Sequence, residues 1–85
     1  GMALPDGPVT LTLEELQALE RKLSAMRHDV NGSLSLIVAA VEMIRYKPQT
    51  AERMMATLAE QPNKISVLLS KFSAEFDQAL GITKS

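Results

Sequence analysis

The chain has 85 residues and a formal net charge of -1 at pH 7, and it lacks cysteine. It is therefore one small domain without disulfides or a cysteine-based zinc site, and its near-neutral balance with no basic block argues against nucleic acid as a partner. The longest apolar run, Leu36 to Val41, is far short of a membrane span, and no cationic start with an apolar stretch marks a secretion signal. A cytoplasmic protein is expected, with no membrane partner.

Residues 1–11 contain Pro5, Gly7 and Pro8 and read as a flexible lead-in. Gly1 precedes Met2, which is read as the native start. Thr12 followed by Glu15 fits a capping box that opens a first helix. Leu16, Leu19, Leu23, Met26, Val30, Leu34, Ile37, Val41 and Ile44 then recur in steps of three and four, as one helical face requires. Pro48 should end this helix, giving bounds of about 12–46.

Thr50 is the expected cap of a second helix, about 50–80. Its apolar stripe is Met54, Leu58, Ile65, Leu68, Leu69, Phe72 and Phe76, with the phenylalanines and Met43, Met54 and Met55 expected in the core. Pro62 interrupts the pattern, so a kink or break is expected near Gln61. Gly81 is the expected stop, and 81–85 form a tail. No strand pattern is evident.

The fold class is thus all-α: an antiparallel two-helix hairpin over 12–80. One hairpin cannot cover both stripes, whereas two side by side make a four-helix bundle, so a homodimer is expected. The competing arrangement is a monomer in which helix 2 folds back at Pro62 into three helices.

His28 is the only histidine in the chain. At about 100° per residue, the helix 1 stripe lies within roughly 40° of Val30, while His28 falls at about 160°. It should stand on the outer face beside Arg21, Ser24, Gly32, Ser35 and Ala39, most of them small. Gly32 costs about 1 kcal/mol relative to alanine in a helix interior, which makes sense if something large approaches the imidazole. A lone exposed histidine is ordinarily a plain surface residue. Here an acid follows it directly, and Asn31 and Gly32 lie three and four residues on.

Arg27-His28-Asp29-Val30-Asn31-Gly32-Ser33-Leu34 resembles the phosphoacceptor segment of the dimerisation and histidine phosphotransfer domain of two-component sensor histidine kinases. That pattern is His, then Asp or Glu, Asn or Arg two residues further, and a later Leu. Leu68-Leu69-Ser70-Lys71-Phe72-Ser73 is similar to the closing segment of the family's second helix. The likeness spans about residues 12–80.

The resemblance implies that His28 accepts a phosphoryl group and passes it to the aspartate of a response-regulator receiver. Asp29 would act as general base or orient the ring, and Asn31 belongs to the same motif. Ser24, Arg27, Gly32 and Ser35 would form the partner surface, and Arg27 or Lys22 would offset charge. The chain needs no cofactor or metal of its own; Mg2+ would come with the receiver.

Where the family commonly carries Thr or Asn and then Pro, this chain has Gly32 and Ser33, which puts receiver-phosphatase activity in doubt. Glycine four residues after the histidine also echoes the monomeric histidine-containing phosphotransfer proteins. No glycine-rich phosphate loop is present, so the phosphoryl group would come from a separate ATP-binding kinase domain or kinase. Two further readings stand: a non-catalytic dimeric helical module that binds or inhibits a histidine kinase or receiver, and a bare dimerisation hairpin.

Overall fold

A computed structural model describes residues 2–81, 83 and 84. Helix α1 spans Leu13–Tyr46, a 3-10 turn spans Pro48–Thr50, and helix α2 spans Ala51–Leu80. The helices lie side by side as an antiparallel hairpin. The molecule measures 58 × 28 × 12 Å, so it is about one helix thick.

α1 starts where the sequence places it. The Glu15 amide donates to Thr12 Oγ1 at 3.1 Å, and the Thr12 amide donates to Glu15 Oε1 at 3.0 Å, completing the capping box. Glu14 and Glu15 complement the positive end of the helix dipole, and Arg45 the negative end. Pro48 forces Lys47 out of helical geometry (φ -134°, ψ 78°), and α1 stops there. At the far end Gly81 adopts φ 72°, a left-handed conformation that an L side chain resists, and its amide closes onto the Asp77 and Gln78 carbonyls.

Thr50 does not cap α2 with its side chain. The 3-10 turn has already put its backbone in the helical region (φ -89°, ψ 0°), so its hydroxyl turns back and donates to the Lys47 carbonyl at 2.8 Å. It thereby ties the turn to the end of α1. α2 also runs unbroken through Pro62, which rules out the folded-back three-helix arrangement. The tails hold a further difference: Met2–Ala3 (β1) pairs antiparallel with Thr83–Lys84 (β2). The hairpin brings both chain ends to one place, and this proximity allows a pairing that no alternating pattern announces. Ile82 and Ser85 of the expected tail lie outside the described residues.

The core is narrow. Among the described residues Ala40 is the only buried apolar one, at 2% exposure. Leu19, Met26, Val30, Ile37 and Ile44 of α1 are half-buried against Met54, Leu58, Ile65, Leu68 and Phe72 of α2. The centre of this seam is polar. Ser33 donates its hydroxyl to Gln61 Oε1 at 2.6 Å, and Gln61 Nε2 donates to the Thr57 carbonyl at 2.8 Å. Gln61 is 1% exposed, and both the oxygen and the nitrogen of its side-chain amide are hydrogen-bonded.

The buried line is therefore rotated from the expected stripe towards Ser33 and Ala40. Leu16, Leu23, Leu34 and Val41 form the stripe's other edge and are exposed, as are Leu69 and Phe76 on α2. Met43 and Met55 are exposed rather than core. Phe72 and Phe76 still touch, with ring centroids 6.1 Å apart, but Phe76 sits at the open margin. One partner helix covers only one edge of a stripe this wide.

Candidate functional site

The hairpin has two broad faces. Take the buried line of each helix as its reference and count about 100° per residue. Leu16, Leu23, Leu34 and Val41 of α1 then turn towards the same broad face as Leu69 and Phe76 of α2. His28, Asp29, Gly32 and Leu36 turn towards the opposite face, together with Lys64 and Lys71.

On that second face a groove runs between the helices. His28, Asp29, Gly32 and Leu36 line it from α1, Lys64 and Leu68 line it from α2, and the Ser33–Gln61 bond forms part of its floor. Asp29 and Leu68 also border an adjoining hollow lined by Lys22, Lys71 and Glu75. The two hollows share residues and so make one furrow along the hairpin.

His28 is exposed, as the helical geometry requires, and Asp29 is exposed one residue on. A methyl group added at Gly32 would meet no atom within 4 Å, so nothing inside the hairpin requires glycine there. The space beside the imidazole is open to an approaching partner. Leu36, 49% exposed, adds an apolar rim.

The remaining expected site residues are divided. Asn31 and Ser35 border a different hollow, with Leu34, Val38 and Glu42, on the other flank of α1. Ser24 is exposed and donates to Glu20 Oε1 at 3.1 Å. Arg27 is exposed and lies about 100° around the helix from His28, on the side away from the furrow. Lys22 belongs to the furrow's adjoining hollow.

The structure adds three groove residues that the helix 1 motif does not indicate: Gln61, Lys64 and Leu68. They come from α2, so their proximity to His28 depends on how the helices align. One signal for Gln61 was available: it occupies the core spacing between Leu58 and Ile65, directly before Pro62.

Among the described residues no group of three or more His, Cys, Asp or Glu side chains is placed to hold a metal ion. No described helix is long and apolar enough to cross a membrane. No family model matches the chain, and no curated protein or solved structure does so either.

Proposed function

We propose that this hairpin is a histidine phosphotransfer module of two-component signalling. The observation that carries the reading is the setting of its only imidazole: exposed, followed by an acid, and flanked by Gly32 in an open groove. An imidazole is a competent nucleophile near neutral pH because much of it is unprotonated there. The lone pair of one ring nitrogen attacks phosphorus, a P–N bond forms, and the bond to the donor breaks with its electron pair leaving on the donor. Asp29 takes or orients the proton on the ring. In the forward handover a receiver carboxylate oxygen attacks phosphorus, and the P–N electron pair returns to the imidazole. Positioning and charge compensation supply most of such catalysis, and the receiver brings the Mg2+.

The assembly proposed is a homodimer. The exposed Leu16, Leu23, Leu34 and Val41 with Leu69 and Phe76 form a face that a second hairpin would cover, completing a four-helix bundle. That packing leaves the furrow outside, available to a receiver and to an ATP-binding kinase domain. The apolar rim at Leu36 and Leu68 also suits a non-catalytic module that docks on such proteins, a reading in which His28 is dispensable.

The two readings separate in one assay. Receivers carrying an aspartyl phosphate are mixed with wild type and with His28→Ala. Acid-labile label on the wild type alone is the expected result. A folded wild type that binds a receiver yet takes no label would leave the non-catalytic module.

A further inference from the structure

The geometry points to Lys64 on α2 as the cation that neutralises a phosphoryl group carried by His28, an inference that rests on the phosphoacceptor reading above. Adding a phosphoryl group puts close to two negative charges on the imidazole, in a groove where Asp29 already contributes a negative one. Among the described residues Lys64 is the one cationic residue lining that groove, and it lies across from His28 on the other helix. Arg27 is turned to the other side of α1, while Lys22 and Lys71 line the adjoining hollow.

Lys64 is also free to respond. Among the described residues its one ion pair is with Glu60, a turn earlier, at 3.9 Å between side chains that are 59% and 65% exposed. A long, exposed pair of this kind holds its lysine weakly, so the ammonium can swing to a dianion without a large loss. The flexible four-carbon stem of lysine gives it the reach.

Potassium phosphoramidate tests this without any partner protein. A ring nitrogen of His28 attacks phosphorus, the donor P–N bond breaks, ammonia leaves, and the ring releases its other proton to solvent. His28 is the only histidine, so every phosphohistidine signal belongs to it. A unit charge held about 5–7 Å from a dianion in a solvent-like medium alters a rate by about seven- to seventeenfold when unscreened. Lys64→Gln should slow labelling by about that factor, Lys64→Arg should restore most of it, and Lys47→Gln, at the turn between the helices, should change it by less than about twofold. The gap between wild type and Lys64→Gln should close in about 1 M salt, where charges are screened over about 3 Å. A purely structural role for Lys64 would not produce that salt dependence.

Equal labelling of wild type and Lys64→Gln at low salt would overturn the assignment while leaving His28 as acceptor. An effect of Lys47→Gln as large as that of Lys64→Gln would also overturn it. A folded wild type that takes no label would remove the phosphoacceptor reading and, with it, the role of Lys64.

Discussion

The two broad faces of the hairpin are built from the same two helices, yet they differ in kind. One carries Leu16, Leu23, Leu34 and Val41 beside Leu69 and Phe76, a continuous apolar strip left open. The other carries a furrow that mixes an imidazole, two acids, three lysines and two leucines. An open apolar strip along an elongated helix pair is a surface for permanent burial, whereas a shallow mixed groove suits a partner that arrives and leaves. The difference teaches that a single-layer hairpin can present two surfaces of different chemical character by a rotation about the helix axes. Side chains one residue apart, such as Ser33 and Leu34, serve different surfaces.

The comparison can be broken most forcefully on the apolar face. If the proposed homodimer buries this face, a charge introduced there by Leu34→Asp should weaken self-association by a hundredfold or more, on the order of 3 kcal/mol, read by sedimentation equilibrium. Labelling of His28 by phosphoramidate should persist in the same variant, because the furrow lies on the other side. Loss of both together would mean that the faces are not independent.

The seam between the faces gives a smaller effect. Ser33→Ala removes the donor to Gln61 Oε1 and leaves a buried amide oxygen unpaired. A loss of about 1–3 kcal/mol is expected in denaturant unfolding. An unchanged midpoint would show that the polar centre of the seam contributes nothing.

Gly32→Ala sharpens the contrast with the least disturbance. The added methyl meets nothing within 4 Å, so stability should rise by up to about 1 kcal/mol from helix propensity alone. Transfer from a phosphorylated receiver should nevertheless slow, since the methyl stands in the approach to His28. A variant that is both more stable and equally fast would show that the partner does not come close at Gly32.

Much of this arrangement was legible from the chain because local signals state it. Thr12 with Glu15, Pro48 and Gly81 mark helix ends through interactions with their immediate neighbours. The outward placement of His28 follows from residue spacing on one helix. What was not legible depends on the partner helix. The apolar stripe of α1 is wide enough for two interfaces, and spacing alone cannot say which edge α2 takes. Ser33 is a polar residue that a pattern of apolar positions assigns to the outside, and it is buried because it meets Gln61; Gln61 holds a core spacing on α2, but its partner across the seam cannot be read from one helix. Lys64 belongs to the groove only through the alignment of α2 against α1. Thr50 stands at the N-cap position as the spacing suggests, but a 3-10 turn, invisible in the spacing, turns its hydroxyl back to the Lys47 carbonyl.

The measurement that bears most directly on the central claim is the handover itself. His28 is loaded with phosphoramidate, the donor is removed, and receivers are added with Mg2+. The acid-labile phosphate is expected to leave His28 and reappear on a receiver as a base-labile acyl phosphate, faster than it is lost to water. Phosphate that stays on His28 across a panel of receivers until it hydrolyses would contradict it.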